Sequence, residues 1–447
     1  MKDLSGRVFV DFLQMKTFSE DPLILVKGDG IYVTDHLGKR YMDGLAGVFT
    51  NILGYGYQPV IDAINEQMQK LHFGMPMYAT NDKSLELVEM LSSVTPSEFN
   101  KMKFLSGGSE ATEAAMKMAR QYHRQTGNPG KYKVISRYGS YHGGTMGALA
   151  ASGGAARKSH YEPFATGYVH VPPPFCYRCP FNLEFPSCDR LCAGMIEDTI
   201  INESPDTVAA VIAEPIIVSG DGFIPSPPGY LSELRRICDK HNVVLIFDEI
   251  ITGVGRLGHM FGAALYDVWP DILVVGKAIS AGYYPLSAVI LNDQVSGAFW
   301  GDESDMVQFH AGQTYGGNPT AAAAGLAVIR QLIDLNLPAR VEKLGERLTN
   351  GLRSLQATHP EIGQVSGEGL LIGVEYVRNA TTHEPFSDDI AFAKKVDEEC
   401  RKLGLITRPS TNVQIFGPAY IISESEVDQM ISIVDRAISN ARNSLAA

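Results

Sequence analysis

The sequence predicts an α/β protein, with a mostly parallel central sheet in a large domain and a small α+β domain built from both chain ends. Three observations carry this. Between about residues 100 and 292, short apolar runs alternate with helical stretches, as in a parallel sheet covered on both faces. Before residue 60, apolar and polar residues alternate around turn signals, which suits antiparallel strands. After about residue 317 helices dominate, with a few strands between them. The expected limits are 1–60 for the N-terminal part of the small domain, 61–325 for the large domain and 326–447 for the C-terminal part.

The elements follow in order. Within residues 23–50, LILVKGDGIYVTDHLGKRYMDGL reads as a strand meander with turns at Gly-Asp-Gly and His-Leu-Gly. Residues 59–71 and 81–94 have helical periodicity. KMKFLS (101–106) is a strand that leads through Gly107-Gly108-Ser109 into a helix. KYKVISRY (131–138) and VAAVIAEP (208–215) are strands. A helix at 229–242 precedes the strand VVLIFD (243–248), and DILVVGK (271–277) and LSAVILN (286–292) follow. Helices are expected at 319–335, 337–358, 388–403 and 424–441, with strands at 369–377 and 403–408.

The chain has 447 residues, 45% of them hydrophobic, and a formal net charge of −12. That is a globular composition with ample core. The acidic balance argues against nucleic acid or an anionic membrane as partner, since both require a basic footprint. No apolar run approaches the roughly 20 residues of a membrane span, and the N-terminus reads as no signal peptide. The expected location is therefore cytoplasmic, and six cysteines in so long a chain suit a reducing compartment.

Asp248 and Lys277 each end an apolar strand. Open α/β sheets bind ligands at those strand ends. A pyridoxal phosphate (PLP) enzyme needs a lysine for a Schiff base and a carboxylate that keeps the pyridine nitrogen protonated, and this pair supplies both. Otherwise Asp248 caps a turn and Lys277 is a solvated strand end. The turn at Gly108-Ser109 opens a helix, so free amides and the positive helix end face an incoming phosphate. A plain helix cap is the simpler alternative. Tyr141, in YHGGT after a strand, offers a ring that stacks on a flat cofactor, or else a core tyrosine.

Taken together, SGGSEATEA, YHGGT, AEP, DEIITGVGRLG, GKAISAGYYPLSAV and QTYGGNP, in that order over residues 106–319, resemble the class III (ω-amino-acid type) aminotransferases of PLP fold type I. The resemblance implies a PLP cofactor attached to Lys277, which also moves the proton, and Asp248 on the pyridine nitrogen. It implies Gly108 and Ser109 on the phosphate, Tyr141 and Ile250 on the two ring faces, and Glu214 near the ring or an active-site arginine. Thr314 would reach the phosphate of a neighbouring subunit's cofactor, which implies a homodimer with shared sites, or a tetramer built from it. Arg408, in GLITRP, matches the arginine that takes a substrate carboxylate, a role suited to a bidentate guanidinium. Alternatively it is a surface arginine after an edge strand. Phe49, Tyr55 and Met75–Met77, with Tyr141, are candidates for the substrate pocket, and many relatives carry Trp near Phe49.

The implied reaction moves an amino group from an amine or (ω-)amino acid to a keto acid such as pyruvate, by a ping-pong route. A racemase, epimerase, aminomutase or decarboxylating transaminase on the same fold is the alternative. A catalytically inactive binding protein is a third, against which the retained Lys277 and Asp248 argue. No G-x-G-x-x-G fingerprint supports a dehydrogenase. One loop stands apart: Cys176, Cys179, Cys188 and Cys192 have zinc-ligand spacing. The chemistry needs no metal, so the expectation is a packed loop with free thiols.

Overall fold

The computed structural model describes residues 5–219 and 222–446. Its centre is a seven-stranded sheet in the order Lys101–Leu105, Ser287–Leu291, Ile272–Val275, Val244–Asp248, Val208–Ala213, Lys133–Arg137, Tyr168–Val171. Ser287–Leu291 runs antiparallel to both neighbours, and the other pairings are parallel. Val208–Ala213 and Val244–Asp248 are buried at every position, as expected of strands covered on both sides. The period-two pleat divides them. Val244 and Ile246 join the core under the helix Gly108–Gln125, whereas Leu245 and Phe247 join the core under the helix Tyr230–Lys240.

Both chain ends meet as expected. Leu405–Ile406 adds in parallel to Arg40–Asp43, the last strand of the antiparallel meander. A second sheet holds Ile362–Glu368, Leu371–Asn379, Val413–Phe416 and Arg408–Ser410. The helices Leu337–Ser354 and Phe392–Lys402 pack against the long helix Glu424–Ala446. Among the described residues, no helix is long and apolar enough to cross a membrane.

Two strand expectations change in detail. The strand expected at 271–277 stops at Val275, and Lys277 starts a short 3₁₀ turn, Lys277–Ser280, with φ of 44°. The strand expected at 403–408 breaks at Thr407, whose side chain is held by Asp397 and Gln414, so Arg408 enters the other sheet. The hairpin Ile216–Ser219/Gly222–Pro225 and the strands Tyr168–Val171, Ile362–Glu368 and Val413–Phe416 were not expected from the sequence.

Candidate active site

The carboxyl ends of the parallel strands open onto a cleft of about 640 Å³. Its lining includes Gly108, Ser109, Tyr141, Glu214, Asp248, Ile250 and Lys277. Seven of the expected positions, drawn from segments spread over some 170 residues of sequence, therefore share one cavity.

Each is positioned by local chemistry. Asp248 ends its strand, 4% exposed, and accepts from the Ile250 amide at 3.1 Å and from His142 Nδ1 at 2.8 Å. His142 is buried, and its ring Nε2 lies 3.8 Å from Glu214 Oε2. Burial alone would lower the His142 pKa, but the Glu214 and Asp248 carboxylates outweigh it and raise it. Glu214 receives Arg137 at 2.9 Å and the Tyr141 amide at 3.1 Å. Burial pushes its pKa up, but His142 and Arg137 more than reverse this and hold it below the usual range. His142 was not singled out in the sequence. It sits next to Tyr141, and only the fold reveals that it braces Asp248.

Lys277 has a left-handed backbone, which costs a non-glycine residue of order 1 kcal/mol or more. Such an outlier marks a place where position matters more than local ease. Its amine pKa is pulled down to about 8, chiefly by burial, with Arg408 adding to the fall and Asp248 opposing it. That makes the neutral, nucleophilic amine accessible near physiological pH.

At the other end of the cleft, Gly107 caps the helix Gly108–Gln125, whose first-turn amides have no acceptor within the helix. A Cβ on Gly108 would lie 2.8 Å from Ile250 Cδ1. Ser109 Oγ accepts from the Gly144 amide at 3.0 Å, and Gly143 packs so closely that its Cβ would lie 2.8 Å from Ser109 Cα. The set fits a phosphorylated pyridine aldehyde such as PLP: amides and a hydroxyl for the phosphate, a carboxylate for the ring nitrogen, Tyr141 and Ile250 as walls, and an amine for the aldehyde.

Other expected positions fall elsewhere. Phe49 is fully buried and packs with Leu45, Ile216 and Val218 instead of lining the cleft. Its φ of 62° and the absence of a side chain at Gly417, where a Cβ would lie 2.5 Å from Phe49 Cδ1, let the ring turn inward. Tyr55 bonds Asp43 at 2.7 Å, and Met75 and Met77 are exposed. Thr314 is exposed and is not part of the cleft lining. Arg408 is outside the immediate lining, but its charge is felt at Lys277.

The cysteine loop has its own scaffold. Arg178 pairs with Glu375 at 2.5 Å, and Tyr177 stacks on His383 with ring centroids 4.2 Å apart. All four thiols are free, and among the described residues no group of three or more ligands is arranged for a metal. Burial pushes the Cys176 thiol up and the Cys192 thiol up to about 11.

Residues 15–438 match the family model for the aminotransferase class-III family. An uncharacterized aminotransferase of Bacillus subtilis is 37% identical over 422 residues, covering 93% of this chain and 91% of its own. A taurine–pyruvate aminotransferase of Bilophila wadsworthia is 35% identical over 434 residues, covering 95% and 93%. The solved ω-transaminase of Pseudomonas jessenii in complex with PMP superposes with a TM-score of 0.95 at 29% identity, covering 100% of this chain and 99% of that one.

Proposed function

The chain belongs to the class III aminotransferases, PLP-dependent enzymes that move an amino group to a keto acid such as pyruvate, and from that premise we propose roles for its residues and a class of donor. Lys277 attaches the cofactor and afterwards shuttles the substrate proton through Nζ. The observation that carries this is one amine, lowered to about 8, in the same cleft as the His142-braced carboxylate of Asp248.

When bound, PLP supplies an electron sink that lets the proton leave the carbon bearing the amino group. Asp248 holds a proton on the ring nitrogen, and His142 keeps that carboxylate oriented and charged. Gly108 and Ser109 take the phosphate through amides and a hydroxyl. Tyr141 and Ile250 fix the ring plane, and Glu214 holds the segment carrying Tyr141 through that residue's amide. Arg408 takes the acid group of the substrate, and the donor is an (ω-)amino acid.

Exposed Thr314, outside the cleft of its own chain, supports a homodimer in which it reaches the neighbour's phosphate. The working domain limits are 1–60, 61–325 and 326–447, with the helices Gln58–Lys70 and Pro319–Asp334 as the joints across them. The proposed location is the cytoplasm. The test is a donor screen with pyruvate as acceptor, read as alanine formed. Parallel double-reciprocal lines support the ping-pong route. Donor consumed without pyruvate being converted, as a racemase would do, contradicts it.

A further inference from the structure

The short helix Ala155–Lys158 carries an arginine that the roles above leave unused. The guanidinium carbon of Arg157 lies 4.5 Å from the ring centroid of Phe12 and 4.5 Å from that of Tyr141. It is held between two aromatic faces, which orients the guanidinium without neutralising it. Tyr141 is a wall of the cleft.

Arg408 approaches the same place from the small sheet. Its pKa is lowered, first by burial and then by the charge of Arg157, with Tyr141 opposing. The charge of Arg157, which stacks on Tyr141, is thus felt at Arg408, and both guanidiniums are partly buried. No ion pair among the described residues involves either of them. Arg137 is answered by Glu214, Arg178 by Glu375 and Arg235 by Asp271, while buried Arg256 bonds the carbonyls of Leu370 and Pro418. Like charges partly removed from water, with no counter-charge, favour an incoming anion.

We propose that Arg157, stacked between Phe12 and Tyr141, joins Arg408 in gripping the acid group of the substrate. The substrate class is a short amino acid whose acid is a carboxylate or a sulfonate. This rests on Arg408 as the substrate-acid arginine and adds a second, fixed guanidinium to it. Two forks satisfy more acid oxygens than one, and the like-charge repulsion between them is relieved only when the acid is present.

The test uses the holoenzyme and two acids that carry no amine, propionate and ethanesulfonate, titrated against the absorbance of the bound cofactor. Arg157→Met is expected to weaken the acids at least about tenfold, the ordinary effect of losing one charge-assisted hydrogen bond. In turnover with pyruvate, the kcat/KM ratio of an amino acid donor to a neutral arylalkylamine is expected to fall by a similar factor, through KM and not kcat. Arg157→Lys is expected to recover part of the loss, which a purely packing role would not predict. Tighter binding of one of the two acids names the acid. If Arg157→Met binds both acids as the parent does while Arg408→Met loses them, this proposal is overturned and the Arg408 role stands. If neither variant weakens the acids, or the parent binds neither acid, both roles fall.

Discussion

The lowered amine of Lys277 has a measurable consequence in the enzyme freed of cofactor. At pH 7 an ordinary lysine is neutral in about one molecule in 3,000, and an amine near 8 in about one in ten. The folded site therefore offers roughly 300-fold more nucleophile than the denatured chain at that pH. The assay is labelling by a limiting amine-acylating reagent across about pH 6 to 10.5, with the Lys277 peptide quantified by mass, in folded and in denatured apoenzyme. The folded rate is expected to rise about tenfold per pH unit and level off near 8, while the denatured rate goes on rising. The causes add a sign test. Arg408 pushes the amine down and Asp248 holds it up. Arg408→Gln should move the folded midpoint up and Asp248→Asn should move it down. A folded midpoint at the denatured value, or both variants moving the same way, would refute the reasoning.

Further expectations follow from the same geometry. Asp248→Asn replaces the carboxylate bonded to His142 by a group that cannot balance a protonated ring nitrogen, so kcat should fall by roughly 10²–10⁴-fold, the range for a lost proton-handling group; a fall of less than threefold would count against the Asp248 role. Gly143→Ala meets both a φ of 141° and backbone 2.8 Å from the new Cβ, so thermal unfolding should show a loss of about 2 kcal/mol or more. The reading of the cysteine loop as packed with free thiols predicts no stoichiometric metal in the purified protein; elemental analysis finding zinc near one atom per chain would overturn it.

Much of the site was legible because it depends on short segments whose geometry is local. VVLIFD is an apolar run that must be a buried strand, so Asp248 had to emerge at its carboxyl end. The Gly-Gly-Ser turn had to open a helix. The strand expected to end on Lys277 stops at Val275, because φ of 44° at a lysine is a strained choice that tertiary packing imposes and no propensity signals. His142 and Arg157 carry no such local signal. Their meaning lies in contacts with Asp248, Tyr141 and Phe12, two of which join residues more than 100 positions apart. Phe49 looked like a pocket residue, but the empty space at Gly417 draws it into the core. The spacing of the four cysteines is visible in the sequence, whereas the Arg178–Glu375 pair that anchors their loop joins residues 197 positions apart and emerges only in the fold.

The central claim is that Lys277 is where the cofactor is attached. The most direct measurement is borohydride reduction of the holoenzyme, which fixes the Schiff base, followed by proteolysis and peptide mass analysis. The account predicts one pyridoxyl adduct, on Lys277, absent from Lys277→Ala. An adduct on any other lysine of the active holoenzyme would contradict it.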